Sequence, residues 1–135
     1  MPLDTTPLRN AVQRLREGLA RHLAEPVDEQ LRDGLIQRFE FTYELSHRTL
    51  RRYLAQSGAS SDEVERLSFA DLIRAGGAAG LLRGDWPVWR AFREMRTRTT
   101  HTYDNTTAVQ VVAALPEFLT EAEYLCAELE RRLAS

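Results

Sequence analysis

Hydrophobic residues recur along this chain at spacings of three and four, which is the period of an amphipathic α-helix. In the first such stretch these positions are Leu8, Val12, Leu15 and Leu19. Thr5 or Thr6 followed by Pro7 supplies a cap and a favoured first-turn proline. A first helix is therefore predicted from this point to a stop near Pro26.

The longest uninterrupted pattern predicts a second helix that Asp28 can cap and that Gly58 and a serine-rich turn end. Its apolar stripe runs through Leu31, Leu35, Phe39, Thr42, Leu45, Thr49 and Tyr53. Glu40, Glu44 and Arg48 share another stripe, and we expect such carboxylates to lie on solvent faces beside arginines at helical spacing.

The second half of the chain predicts a short helix and two long ones. Ser68 with Asp71 forms a capping box for the short helix, and the Gly-rich segment 76–80 is expected to end it. Asp85 opens the fourth helix, which a break at residues 102–105 separates from the last. Pro116 is predicted to kink or locally break that last helix.

No run alternates between apolar and polar residues as a strand does, so the predicted class is all-α. The expected fold is an up-and-down helical bundle of four main helices plus one short helix. With 135 residues the chain is predicted to be a single domain, 1–135.

Charge and cysteine content exclude several classes of protein. All 18 Lys or Arg positions are arginine, against 20 acidic residues and a net charge of −2. This balance does not suit a protein that coats duplex DNA by bulk basicity. The single cysteine, Cys126, and the absence of metal-ligand spacings favour a reducing cytoplasmic compartment with no metal and no cofactor. No apolar run approaches the ~20 residues that span a bilayer, so no membrane association is expected.

One segment departs from the acidic average. Residues 83–98 carry five arginines against two carboxylates, a local charge of +3, and Thr99 to Asp104 follow directly. Arginine is a permanently charged planar donor for phosphate oxygens, and histidine can both accept and give a proton near neutral pH. Beside an RNA phosphodiester, an arginine and His101 could perform metal-free transesterification.

Helical geometry leaves three arrangements open for this chemistry. On a straight helix Arg96 and His101 lie about 140° apart, whereas Arg98 and His101 lie within about 60°. Either the helix unwinds at Thr99 and Thr100, or Arg96 meets His101 of another copy, or Arg98 is the true neighbour. A further interpretation is that these cations only complement the C-terminal helix dipole.

Three stretches of the sequence carry a family resemblance. They are IQRFEFTYELSHRTLRRYL at 36–54, WRAFREMRTRTTHTYD at 89–104 and PEFL at 116–119. In this order they resemble the nucleotidyltransferase substrate-binding-protein family of the HEPN superfamily. The most specific part, Arg, four residues, His, any residue, Tyr, falls on Arg96, His101 and Tyr103.

The resemblance implies a toxin of a two-component toxin-antitoxin system. Such a protein is a homodimer and a metal-independent ribonuclease acting on RNA, with tRNA as one candidate, and a small partner nucleotidyltransferase of the minimal type acts as its antitoxin. Arg96 and His101 would then be catalytic, and Tyr103 would be the site of AMPylation by the partner. Arg93, Thr97, Arg98 and Thr100 would support the site or contact RNA phosphate.

Two positions depart from the family pattern. Thr97 stands where an asparagine or another strongly polar residue is common, and His47 stands where an aromatic is expected. His47 is predicted to pack half-buried between helices, and His22 to lie on the surface of the first helix. A tyrosine such as Tyr103 can also pack its ring inward without any chemistry.

Two other functions remain as alternatives: a non-catalytic substrate-binding subunit of a two-component nucleotidyltransferase, and a dimeric helical interaction module without chemistry. Residues of the fourth helix also suggest a dimer, because its apolar side chains are expected to cover more than one face. Those side chains are Trp86, Trp89, Phe92 and Met95. The tryptophans are expected to pack in the core or an interface rather than to stack on bases.

Overall fold

Six α-helices and one 3-10 turn are present in the computed structural model, which describes residues 3–58 and 60–134. In chain order they are α1 (Thr6–Ala24), α2 (Glu29–Gln56), α3 (Ser61–Glu65), α4 (Phe69–Ala78), α5 (Trp86–Arg98), the 3-10 turn Thr99–His101 and α6 (Asn105–Ala134). These described residues contain no strand, so the predicted all-α class is confirmed. Residues 1, 2, 59 and 135 of the predicted domain lie outside the described residues.

Local capping contacts fix the starts of α2 and α4 as predicted. The Asp28 carboxylate accepts backbone N–H groups of Gln30 and Leu31 at 2.9 and 3.1 Å. The Ser68 hydroxyl accepts the N–H of Asp71 at 3.1 Å. Each contact satisfies amides that the first helical turn leaves unpaired.

At α1 the predicted threonine cap is wrong. Thr5 stands at the capping position but its side chain makes no capping bond. Asp4 supplies the acceptor instead, because its carboxylate receives the backbone N–H of Thr6 at 2.9 Å. A carboxylate is the better partner here, since it adds a negative charge at the positive end of the helix dipole.

The core lies where α1, α2, α5 and α6 meet, and its aromatic centre is Phe118 of α6. The Phe118 ring packs edge-on against Phe39 of α2 at 4.9 Å and against Phe92 of α5 at 5.1 Å between centroids. Trp89 adds a third edge contact at 6.2 Å. This cluster fixes α5, which carries the arginine motif, against the two longest helices.

Between α2 and α5 one local prediction fails and another is confirmed in part, because α4 does end inside the Gly-rich segment 76–80. The short helix α3 lies in the segment expected to be a turn. Helix α4 continues through Gly76 and Gly77 rather than ending there, and it stops before Gly80, whose φ is +76°. Gly76 is buried, and a Cβ there would meet methyl groups of Leu50 and Leu82 at 3.0 Å. That glycine serves close packing of α4, not its termination.

The predicted break at Pro116 is also wrong, because α6 is one helix of 30 residues that contains the proline. Leu115, Phe118 and Leu119 are buried on both sides of the proline, whereas Pro116 itself is exposed. Packing of the flanking residues therefore holds the helical conformation against the lost hydrogen bond, and the proline ring lies on the solvent face.

A buried carboxylate anchors the segment before α5. Glu121 of α6 is only 2% exposed and accepts the backbone N–H of Gly84 at 2.6 Å and Nη1 of Arg83 at 3.0 Å. A Cβ at Gly84 would lie 2.8 Å from the Glu121 carboxylate. The close approach therefore requires glycine and ties the start of α5 to α6.

Candidate functional site

Arg96 lies in the last turn of α5 and points toward α2. Its Nε is 3.6 Å from Oε1 of Glu44, and its Nη1 is 3.8 Å from Oε2 of Glu40. Nη1 also donates to the Thr99 hydroxyl at 3.0 Å. The side chain is half-buried, with 30% exposure. Arg96 is thus held on the α2 side of the motif.

His101 ends the 3-10 turn and is exposed. Side chains three positions apart lie one above the other in a 3-10 helix. Arg98 caps this turn, so Arg98 and His101 share one face. Arg98 is exposed as well and donates to the Gln110 side chain of α6 at 2.8 Å.

This geometry shows which arginine, Arg96 or Arg98, shares a face with His101 within one chain. Among the described residues, no hydrogen bond or ion pair joins Arg96 to His101. The turn at residues 99–101 tightens the helix rather than unwinding it, so it does not bring Arg96 to His101. Arg98 is the arginine that shares a face with His101. A meeting of Arg96 with His101 of another copy stays a prediction.

Tyr103 follows the turn and is 86% exposed. Its hydroxyl lies 3.3 Å from Nδ1 of His101, and the two rings meet edge to face with centroids 5.8 Å apart. The inward-packed ring that a tyrosine often adopts at a helix break is not found. A phenol hydroxyl and an imidazole therefore stand within hydrogen-bond reach, both open to solvent.

Of the other predicted supporting residues, Thr97 and Thr100 bond to their own stretch of backbone, and Arg93 faces α4. Thr97 donates to the carbonyl of Arg93, and Thr100 donates to that of Thr97, each at 3.1 Å. The Arg93 guanidinium lies 5.4 Å from the centre of the Phe69 ring. All three side chains are exposed and border the site, and no hydrogen bond described in residues 3–58 and 60–134 joins them to the side chain of Arg96 or His101.

Glu40 and Glu44 were expected on a solvent face, and that prediction is wrong. Both carboxylates are about one-third exposed and face Arg96. Glu44 does pair with Arg48 at 3.8 Å, as its helical spacing predicts. The contacts with Arg96 join residues more than 50 positions apart in sequence, and helical periodicity within α2 contains no signal for them.

His47 lies behind this pair, half-buried as predicted. Its Nε2 is 3.2 Å from Oε2 of Glu44, and its ring packs edge-on against Tyr43 and Phe69. Burial lowers the pKa of His47 below its ordinary value, and the Glu44 carboxylate works against that shift. Burial also raises the pKa of Tyr43 to about 12.

Two predictions about burial elsewhere need correction. His22 is only 8% exposed, and its Nδ1 is buried without a hydrogen-bond partner, so the expected surface position is wrong. The apolar residues of α5 do not leave a second open face, because Trp89 and Phe92 are in the core and Trp86 and Met95 pack half-buried against it. The predicted core position of Trp89 is confirmed.

The described part of the chain, residues 3–58 and 60–134, has neither a metal-binding cluster nor a membrane-spanning helix. No group of three or more His, Cys, Asp or Glu side chains there is placed to hold a metal ion. None of the helices is both long enough and apolar enough to cross a bilayer.

Comparison with known proteins gives the family. Residues 3–131 match the family described as nucleotidyltransferase substrate binding protein like. The chain belongs to this family. The expected membership of the nucleotidyltransferase substrate-binding family is thus confirmed over nearly the whole chain.

Three relatives of this family extend the comparison. The chain is 40% identical over 106 residues to a probable ribonuclease HepT of Haemophilus influenzae, covering 78% of this chain and 72% of that one. A solved Haemophilus influenzae protein, described as a substrate-binding domain of a nucleotidyltransferase, has a TM-score of 0.88 at 32% identity, covering 94% of this chain and 99% of that one. A solved protein from Thermus thermophilus has a TM-score of 0.76 at 28% identity, covering 90% of this chain and 98% of that one.

Proposed function

We propose that this protein is a HEPN-type ribonuclease toxin that acts on RNA without a metal ion and that a partner nucleotidyltransferase neutralises. The observation that carries the proposal is the exposed His101, which shares a face with Arg98 and has the Tyr103 hydroxyl 3.3 Å from its ring. The 40% identity to a probable ribonuclease supports it.

The chemistry assigned to this site is transesterification. His101 takes the proton of an RNA 2′-hydroxyl, whose oxygen attacks the adjacent phosphorus, or protonates the 5′-oxygen that leaves. The products are a 2′,3′-cyclic phosphate and a free 5′-hydroxyl. Arginine holds the phosphate oxygens while negative charge builds on them. Arg98 is placed to do so in one chain, and Arg96 would do so toward His101 of a second copy in a homodimer.

Tyr103 is the proposed site of silencing. The partner would transfer AMP from ATP, so that a bond forms between the tyrosine oxygen and the α-phosphorus, the bond to pyrophosphate breaks and the phenolic proton is released. The product carries a phosphodiester charge beside His101 and competes with RNA for the arginines. The exposure of the Tyr103 hydroxyl supports access by a partner enzyme.

The decisive experiment incubates protein of confirmed unmodified mass with total RNA or tRNA in EDTA. Cleavage that persists in EDTA and disappears in His101→Ala is expected. No cleavage by the unmodified protein would reject the ribonuclease. Intact mass after co-expression with the partner tests Tyr103 separately: added AMP units are expected in the wild type and none in Tyr103→Phe.

Replacing Arg96 by lysine is predicted to abolish most cleavage while leaving the fold intact, because lysine keeps the charge but loses the planar fork. A loss of at least tenfold in kcat/KM is expected, on the order of 1.4 kcal/mol or more. Arg90→Lys is the matched control, since Arg90 lies on the same helix and its described ion pair is with exposed Glu94. Equal activity in both variants would remove Arg96 from the mechanism.

A second candidate is a non-catalytic subunit that presents substrate to a nucleotidyltransferase. Thr97, whose hydroxyl is bound to its own helix, favours it, as does the description of the solved Haemophilus influenzae relative. Co-purification with the neighbouring nucleotidyltransferase, together with no RNA cleavage by the unmodified protein, would select this function.

A further inference from the structure

The guanidinium of Arg96 is held by charge and makes a single described hydrogen bond as donor. Both ion pairs, at 3.6 and 3.8 Å, are longer than a hydrogen bond. Its Nε is buried and has no hydrogen-bond partner, and its one described donated bond goes to Thr99. A guanidinium has five N–H donors, so this group is oriented yet still able to bind an oxyanion.

Of the two carboxylates, Glu44 is the one held firmly. Its Oε2 contacts His47 at 3.2 Å and Arg48 at 3.8 Å, which leaves Oε1 directed at Arg96. The described ion pair of Glu40 is with Arg96 alone. The chain from His47 through Glu44 to Arg96 therefore fixes the angle of the guanidinium from α2.

We infer that Glu44, assisted by Glu40, is a positioning residue that orients Arg96 for an RNA phosphate. This inference rests on the proposed function, because it assigns Arg96 a phosphate to hold. Two carboxylates beside one arginine also repel an incoming polyanion, so the same pair weakens RNA binding while it improves alignment.

Opposing effects on binding and turnover separate this role from a merely structural one. Glu44→Gln keeps the size and the acceptor oxygen but removes the charge. In EDTA, we expect RNA to bind about two- to fivefold more tightly and kcat to fall about tenfold, because repulsion is lost and the guanidinium is freer. A variant that merely loosened the fold would not bind RNA more tightly.

The experiment combines kinetics with a signal that needs no RNA. Arg96 Nε–H is identified in a ¹⁵N spectrum by its loss in Arg96→Lys. Its exchange with water is expected to be slow in the wild type and markedly faster in Glu44→Gln. Glu94→Gln is the control, because it removes a carboxylate paired with Arg90 on the same helix. It should change neither the exchange rate nor kcat.

The two readouts distinguish failure of the inference from failure of the proposed function. Unchanged Nε–H exchange in Glu44→Gln overturns the inference, as does an unchanged kcat in a protein that cleaves RNA. Faster exchange in a protein that does not cleave RNA would retain the positioning of Arg96 and reject the ribonuclease instead.

Discussion

Arg96 and Arg98 stand two positions apart in the sequence yet face different neighbours. Arg96 contacts carboxylates of α2, whereas Arg98 contacts Gln110 of α6 and shares a face with His101. Helical angles predicted that the two would diverge, but they left open which arginine is the neighbour of His101. The partners of Arg96 depend on how α2 and α5 pack, which spacing along one helix does not encode.

The burial of His22 follows from the hydrophobic period of α1. The apolar positions Leu8, Val12, Leu15 and Leu19 continue at a spacing of three to residue 22. Its place on the buried stripe follows from that period. The polar character of histidine led to the wrong prediction of a surface position.

His47 is predicted to make stability depend on pH. Its folded pKa is lowered, mainly by burial, so below an ordinary pKa of about 6.5 the unfolded chain binds the proton more readily. The contribution of His47 is therefore complete above that pH and is lost as the pH falls.

Urea unfolding of the wild type and His47→Phe between pH 5 and 8 measures this effect. The free energy of unfolding of the wild type should fall more steeply toward pH 5 than that of the variant, in which phenylalanine keeps the ring packing against Tyr43 and Phe69. Parallel pH profiles would show that His47 is not responsible.

At the scale of elements, helix starts are predictable where a side chain caps a backbone N–H two or three positions further along the sequence. The caps by Asp28 and Ser68 are of this kind. The structure differs from the predicted break at Pro116, whose flanking residues are buried, and it carries α4 through Gly76, which packs against Leu50 and Leu82. A glycine or proline signals a local tendency, and tertiary packing overrides it in both places.

The anchor between α6 and the start of α5 gives a stability prediction at this scale. Glu121→Ala removes the acceptor of the Gly84 N–H and is expected to cost about 1–3 kcal/mol of unfolding free energy. The control is Glu123→Ala on the same helix, whose exposed pair with Arg16 should be worth about 0–1 kcal/mol.

Urea unfolding of both variants provides the comparison. A cost for Glu121→Ala no larger than that for Glu123→Ala would mean that the segment before α5 is held by other contacts.

At the scale of the whole molecule, the class, the order of the long helices and the family were all predictable. They were predictable because helical period and caps depend on residues close together in the sequence, and because the Arg, His and Tyr motif lies within one short segment. The positions of the exposed apolar side chains were not predictable, since the sequence pattern points to α5 and the exposed residues lie elsewhere. They lie on other parts of the chain and include Phe41, Val27 and Val109. On α5, Trp89 and Phe92 turn inward and pack against Phe118.

A test of the proposed homodimer uses two inactive variants, Arg96→Lys and His101→Ala. If each site takes Arg96 from one copy and His101 from the other, a mixed dimer has one intact site. Half the dimers in an equal mixture are mixed, so about a quarter of wild-type cleavage should return.

The readout is RNA cleavage after unfolding and refolding the two variants together, with each variant refolded alone as the control. No recovery in a sample shown to be dimeric would mean that Arg96 and His101 of a working site belong to the same copy.

The 3-10 turn limits how the length of this chain can vary among related proteins. With three residues per turn, one inserted residue would rotate everything after it by about 120° relative to Arg98. His101 would leave the face that it shares with Arg98, whereas the joint between α2 and α3 contains none of the motif residues. Insertions and deletions in relatives that keep the motif should therefore be confined to joints such as residues 57–60, and the segment from 96 to 103 should differ by substitution alone.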